Sequence, residues 1–223
     1  MVSIGLFIII YFFICNWIQI YYLFGNLIKP KVRLKIVNGK GLAEKLHKKT
    51  GLNLTIKSMP EENKMIGFMV STKPFPPVMI FSEKLYTSLN QDEFEWVALH
   101  ESGHYLMWHN LKLILMQFCI LILGLMFLNI NNSLLIITPL IAFLLGFIYI
   151  KLAIILEYQA DYFAVTNMDN PKGMITGNIK MSKVNQKLMG GNSFLQGLII
   201  AVSPEERIRM AEEEIKRRKK IER

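Results

Sequence analysis

The sequence predicts a mainly α-helical membrane protein, with three transmembrane helices and a compact α+β domain that contains a small sheet. Three observations support this fold class. The 223-residue chain is 52% hydrophobic, and its apolar residues are concentrated in long uncharged runs. The segments between those runs show the alternating and helical spacings of a folded domain.

The uncharged runs are long enough to cross a bilayer. Residues 1–28 and 113–150 contain no charged side chain, and a membrane-spanning helix needs about 20 apolar residues. The runs predict three spans, at roughly 4–28, 111–128 and 134–156. A cleaved signal peptide is the alternative for the first span, but its apolar core would be shorter and would end in a small-residue cleavage site.

Charge indicates how the chain is oriented. The basic residues follow the first span, from Lys29 to Lys35, and also fill the tail 216–223, whereas the loop 129–133 carries no charge. Basic flanks tend to stay in the cytoplasm, so we expect a multi-pass cell-membrane protein whose folded domain faces the cytoplasm. Topology and attraction to the lipid bilayer explain the net charge of +9. No nucleic-acid partner is predicted, because no binding motif accompanies the charge.

The predicted domain organisation alternates membrane and polar parts: an anchor at 1–29, the first part of the domain at 30–110, a transmembrane hairpin at 111–156 and the second part of the domain at 157–223. Residue patterns in the first part predict a helix over 38–50, strands over 52–59, 65–70 and 78–81, and a short helix over 82–89. Prolines cannot donate to a strand ladder, so we expect the proline-flanked strand 78–81 at a sheet edge.

Capping signals mark the start of two helices. Asn90 with Glu93 forms a capping-box pattern ahead of a long helix that contains WVALHESGHYLMW (96–108). Ser203, followed by Pro204 and Glu206, marks the final helix. The residues between predict helix over 157–166, a turn over 167–173 and helix over 174–189.

The long helix contains the pattern H-E-x-x-H. His100 and His104 lie one turn apart on the same helix face, where two imidazoles can reach one Zn²⁺. Glu101 is rotated off that row and can act as general base toward a water molecule beside the metal. Gly103 leaves room beside the metal. The alternative is a pair of interfacial histidines on an amphipathic helix.

A metal site needs a third protein ligand. His109 is nine residues from His100, close to the opposite face of a continuous helix, and is therefore a poor ligand; His47 lies on a separate helix and is expected at the surface. Glu157 is the first acidic residue after the motif, and Asp161 follows one turn later. Glu157 could bind the metal while Asp161 hydrogen-bonds the far nitrogen of a ligating histidine.

The predicted hairpin is compatible with such a site. Two spans separate His104 from Glu157. An even number of crossings returns the chain to the side it left, so Glu157 can emerge next to the histidine helix.

The sequence resembles the HtpX and CAAX prenyl protease family of membrane zinc metalloproteases. The matching segments are LNQDEFEWVALHESGH (89–104), EYQAD (157–161) and SPEERI (203–208), with the hydrophobic hairpin between the first two. The resemblance implies a compact zincin-like catalytic domain of helices with a small sheet. It also implies one zinc ion per chain on His100, His104 and Glu157, with Glu101 as base.

The resemblance implies a zinc metalloendopeptidase that hydrolyses peptide bonds. The sequence leaves its substrate open: quality control of damaged membrane proteins is one option, and processing of a specific peptide is another. We expect its polypeptide substrate to bind in extended form along the strand Val78 to Phe81. The chain departs from the family at Ser203, where His-Pro is common. Arg207 matches the family's arginine, and both a catalytic role and a salt bridge to a glutamate or to the membrane surface are open for it.

Two other readings remain. In a site-2-type intramembrane protease the H-E-x-x-H motif lies inside a span and pairs with an aspartate motif in another; here it follows the polar stretch NQDEFE. A membrane scaffold without catalysis could also contain zinc, and only a peptidase assay separates it from an enzyme.

Overall fold

Helices dominate the computed structural model, which describes residues 34–36, 41–60, 65–130, 138–188 and 202–222. In these residues the strands are β1 (Lys35–Ile36), β2 (Thr55–Met59), β3 (Gly67–Met69) and β4 (Val78–Ser82). The helices are α1 (Leu42–Thr50), α2 (Glu83–Ser88), α3 (Gln91–Leu106), α4 (His109–Ile130), α5 (Thr138–Asn167), α6 (Lys172–Leu188) and α7 (Pro204–Ile221). The prediction of a mainly helical chain with a small sheet is confirmed, and the predicted span 4–28 lies outside the described residues.

The strands form one mixed sheet in the order β1-β2-β4-β3. Strand β4 pairs with β2 in parallel and with β3 antiparallel, so the prediction that residues 78–81 lie at a sheet edge is wrong. The prolines all precede Val78 and therefore leave the backbone donors of the strand available for pairing. A continuous run of apolar residues is typical of a central strand, and Met79, Ile80 and Phe81 are buried.

The predicted capping box at the start of α3 is confirmed. The Asn90 side chain accepts a hydrogen bond from the Glu93 backbone N–H, and the Glu93 carboxylate accepts one from the Asn90 N–H. Beyond this cap, most of the helix is buried. A helix buried on nearly all sides is held by packing rather than by one amphipathic stripe, so α3 is a firm base for the side chains of its H-E-x-x-H motif.

Helix α3 does not continue into α4. It ends at Leu106, and Trp108 adopts a left-handed conformation with φ of 61° before α4 begins at His109. The two helices meet at a bend of 50°. A bulky residue seldom adopts positive φ, and no glycine or proline in the sequence marks this break.

The described chain divides into two compact units. Leu34–Asn110 and Ala153–Arg223 form one of them, and Leu111–Leu152 belongs to the other. Within the described residues no single helix is both long and apolar enough to cross a membrane, although the bent pair Gln91–Leu106 and His109–Leu123 meets those criteria jointly. The three spans stay a prediction.

Helices α6 and α7 complete the first unit. Gly177 of α6 allows close contact with α3, because a Cβ there would lie 3.0 Å from the Trp96 ring. The Asn178 amide donates to the Pro204 carbonyl oxygen at 3.0 Å and ties α6 to the start of α7. Ser203 caps α7 as predicted, accepting a hydrogen bond from the Glu206 N–H at 3.2 Å.

Candidate metal centre

The two motif histidines of α3 point their outer nitrogens at the same place. The Nε2 atoms of His100 and His104 lie 3.1 Å apart, and their ring centroids are 4.7 Å apart. This follows from the helical repeat, which places residues four apart on one face. His100 is buried, while His104 retains a small exposed fraction. The pair therefore presents two nitrogen ligands at a partly accessible position.

Helix α5 brings Glu157 to these nitrogens. One carboxylate oxygen lies 3.4 Å from His100 Nε2 and the other 3.4 Å from His104 Nε2. The three potential ligand atoms lie within 4.8 Å of one another and could hold a metal ion. The structure therefore brings together the three residues that the sequence suggested as ligands.

The protonation of these groups reflects their proximity. Burial alone would lower the pKa of His100, but the carboxylates of Asp161 and Glu157 outweigh it and raise the pKa to about 10. Burial would likewise raise the pKa of Glu157, but hydrogen bonds to His100 and His104 hold it well below its usual range. The cluster therefore keeps the carboxylates of Glu157 and Asp161 negatively charged beside His100.

Asp161 supports His100 from behind. It is fully buried, with Oδ1 2.9 Å from His100 Nδ1 and Oδ2 accepting a hydrogen bond from Arg207 Nε at 2.7 Å. Burial opposes its ionisation, but His100 and then Arg207 keep the pKa of Asp161 low. The Arg207 guanidinium also lies over the Trp96 ring, 5.6 Å from its centroid. Arg207 thus forms a salt bridge in this structure, but its partner is Asp161 rather than the glutamate or membrane surface that the sequence suggested.

Glu101 lies beside the cluster but outside the set of ligand atoms. Its Oε2 accepts a hydrogen bond from the Met69 backbone N–H of β3 at 2.8 Å. Burial raises the pKa of Glu101, and the nearby His100 and His104 only partly offset that effect. The backbone contact to Met69 has no side-chain signature, so sequence analysis could not predict it.

Gly103 lies where α3 packs against a second helix. A Cβ at this position would lie 3.1 Å from the Phe163 ring and 3.4 Å from the Ala160 Cα. Both neighbours belong to α5, the helix that carries Glu157. The missing side chain therefore allows α3 and α5 to approach closely, and this approach brings Glu157 to the histidines.

The environment of His109 differs from the one that the sequence predicted. It is fully buried, and its Nδ1 lies 3.0 Å from Nδ1 of His104. The sequence placed His109 close to the helix face opposite His100 because it assumed a continuous helix. That expectation is wrong, since the helix breaks at Trp108. The group of three potential ligand atoms comes from His100, His104 and Glu157, and His109 contacts one member of that group, His104.

Two other residues stay apart from the cluster. His47 is exposed on α1, as predicted, and its Nδ1 lies 3.3 Å from the Leu52 carbonyl oxygen. Ser203, which stands where the resembled family commonly has histidine, uses its hydroxyl to cap α7.

A comparison with models of protein families shows which family the chain belongs to. The model described as "Peptidase family M48" matches residues 43–214. The chain belongs to peptidase family M48. Membership of family M48 indicates a metallopeptidase, and the matched range contains all of the residues that form the cluster.

A solved structure also resembles this M48 chain. The crystal structure of S. mikatae Ste24p matches with a TM-score of 0.56 and 15% sequence identity, over 88% of this chain and 55% of that one. At this identity the likeness concerns the fold, and this chain spans about half the length of its structural relative. None of the curated proteins matches the sequence significantly.

Proposed function

We propose that this chain is a membrane-bound zinc metalloendopeptidase whose catalytic domain faces the cytoplasm; quality control of membrane proteins and processing of a specific peptide are both open as its role. The observation that supports the peptidase most directly is the convergence of His100, His104 and Glu157 beside a fourth side chain, Glu101, that stays out of the ligand set. In this proposal the first three hold zinc, Glu101 is the catalytic base, and Asp161 orients His100.

The donor set fits zinc. Two atoms bound to one Zn²⁺ at about 2.1 Å in tetrahedral directions lie about 3.4 Å apart. The two histidine nitrogens lie 3.1 Å apart, and each lies 3.4 Å from a different oxygen of the Glu157 carboxylate, so each of these separations is close to that value. When bound, zinc would supply Lewis-acid chemistry, lowering the pKa of water and polarising the substrate carbonyl.

Glu101 is suited to move the proton. Its Oε2 is held by the Met69 N–H, which leaves Oε1 to accept a proton from the attacking water and later to pass it to the leaving amine. Burial raises the pKa of the Glu101 carboxyl, and a general base works best when its pKa approaches the working pH.

The substrate would bind in extended form along β3 rather than β4. In the described chain β3 is the last strand of the sheet, with ladder bonds to β4 from residues on either side of Gly67 and Met69. Because backbone groups alternate along a strand, those of Gly67 and Met69 face away from β4. The Met69 N–H donates to Glu101, so the Gly67 N–H and the Gly67 and Met69 carbonyl groups would be the ones that pair with a peptide. A peptide added there would lie beside the catalytic carboxylate.

Modified substrates test this binding mode. Methylating one backbone nitrogen of a cleaved peptide removes one hydrogen-bond donor. Because only alternate residues of an added strand donate to β3, methylation should raise KM at every second position on each side of the scissile bond. A uniform effect along the peptide would argue against strand addition.

The peptidase itself is tested with casein, or by self-cleavage, in detergent. Wild type with zinc should cleave, chelator should stop cleavage, and Glu101→Gln should keep zinc while losing about 10²–10⁴-fold in turnover. The amide oxygen of glutamine can still accept from Met69, so the local fold is retained. Glu157→Ala should lose both zinc and activity, whereas Glu44→Gln, an exposed carboxylate on α1, should change neither. Undiminished cleavage by Glu101→Gln would refute the proposed base.

The cytoplasmic orientation rests on the basic residues after the first predicted span and on the uncharged loop 129–133. Single cysteines at Lys48 and Asn131, in a background without Cys15 and Cys119, report it. An impermeant reagent on intact cells should label position 131 and spare position 48. The reverse pattern would invert the topology.

A further inference from the structure

The Nδ1 atoms of the two motif histidines, on the side of each ring away from the proposed metal position, have different partners. His100 Nδ1 meets the carboxylate of Asp161, whereas His104 Nδ1 meets the imidazole of His109 at 3.0 Å. We propose that His109 is a positioning residue for His104, accepting its Nδ1–H hydrogen bond and thereby fixing the ring orientation and tautomer. This inference rests on the proposed zinc site.

The direction of the bond follows from the geometry. His104 Nε2 faces His100 and Glu157, so a cation bound there uses the Nε2 lone pair. The proton of the His104 ring is then on Nδ1 and must be donated. Only an unprotonated Nδ1 on His109 can accept it, which places the His109 proton on Nε2.

The break between α3 and α4 makes this contact possible. Met107 N–H donates to the Gly103 carbonyl oxygen at 3.0 Å, Trp108 turns into the left-handed region, and α4 starts at His109. This break, in place of a continuous helix, lets His109 lie beside Nδ1 of His104. Full burial of His109 then holds its ring in place.

The partners differ in charge, which has a chemical consequence. A carboxylate behind a ligating imidazole increases its basicity, whereas an imidazole acceptor in its neutral form orients the ring without adding charge. The zinc site would therefore have one anionic outer partner, Asp161, whose second oxygen is already engaged by Arg207. His109 would hold His104 in position while leaving the net charge of the cluster unchanged.

Metal affinity is the decisive measurement, made on purified full-length protein by competition with a chromophoric zinc chelator. His109→Leu fills a similar space without an acceptor and should weaken zinc binding about 10–100-fold. His109→Gln offers an amide oxygen and should recover most of that loss. The visible spectrum of the cobalt-substituted protein should change in His109→Leu and return in His109→Gln. Wild-type zinc affinity and an unchanged cobalt spectrum in His109→Leu would overturn the proposal.

A measurement on the wild-type protein does not depend on how the variants fold. In ¹⁵N-histidine NMR spectra of the zinc-loaded protein, Nδ1 of His104 should be protonated and Nδ1 of His109 unprotonated. The opposite assignment would contradict the proposal. Failure of wild type to bind zinc, with no effect of His100→Ala, would instead reject the metal site itself, so the two failures are distinguishable.

Discussion

Replacing Asp161 with asparagine tests the support behind the metal centre. The two carboxylate oxygens of Asp161 each serve a different donor, His100 Nδ1 at 2.9 Å and Arg207 Nε at 2.7 Å. Asparagine has the same shape but only one acceptor oxygen, and its other end is an NH₂ group. Whichever way the amide turns, one of the two donors faces another donor.

The size of the effect follows from burial. A hydrogen bond to a charged group contributes about 1.5–3 kcal/mol, and removing one partner of a fully buried ion pair costs about 3–5 kcal/mol. Asp161 is fully buried, but the Arg207 side chain is 17% exposed and can recover some hydration. We therefore expect the free energy of unfolding to fall by about 2–3 kcal/mol. Disordering of His100 should weaken zinc binding about 10–100-fold, equivalent to about 1.4–2.7 kcal/mol.

The assay compares zinc affinity and denaturant unfolding in Asp161→Asn and in a matched control. Glu214 of α7 is also a buried carboxylate, held by Arg217 and Arg218 at 2.7 Å, but it is not part of the metal cluster. Glu214→Gln should lower stability with zinc affinity unchanged. Equal zinc affinity in the Asp161 and Glu214 variants would refute the reasoning, because Asp161 would then be purely structural.

Three further predictions concern packing, pH and capping. Gly103→Ala should press on the Phe163 ring at 3.1 Å, at a cost of about 1–3 kcal/mol, and weaken zinc binding in the chelator assay; unaltered affinity would mean that the close helix approach is unnecessary. Hydrogen bonds from Lys45 and Lys49 of α1 lower the pKa of Asp169 from 3.8 to about 2. The ionised Asp169 therefore stabilises the fold fully above about pH 4, and this contribution is lost as the pH falls through about 2. Asp169→Asn should therefore unfold at lower denaturant than wild type at pH 7, with a modest gap because the group is largely exposed. That gap should shrink as the pH falls through about 2 and close below it, and a constant gap across this range would contradict the assignment. Ser203→Ala should cost about 1 kcal/mol of stability through loss of the α7 cap while the turnover of the folded protein stays constant, and a fall in turnover would place Ser203 in the active site.

Local patterns in the sequence were enough to predict much of the site. The spacing of His100 and His104 implies a common helix face, and the spacing of Glu157 and Asp161 does the same on a second helix. The sequence also predicted the helix N-caps at Asn90 and Ser203. Each of these features depends on residues within about one turn of one another, where backbone geometry dictates which side chains meet.

Strand order and helix packing could not be read in this way. The sequence placed residues 78–81 at an edge because prolines precede them, but pairing with β2 and β3 depends on segments far apart in the chain. Gly103 shows the same limit, since its neighbours are on α5. His109 shows it most clearly. A continuous helix would put it close to the face opposite His100, but after the unsignalled turn at Trp108 its Nδ1 lies 3.0 Å from His104 Nδ1. The sequence by itself determined which side chains share a helix face, because helical periodicity is a property of the local backbone. Only the tertiary structure decided which faces meet, because that outcome depends on the packing of segments that are distant in the chain.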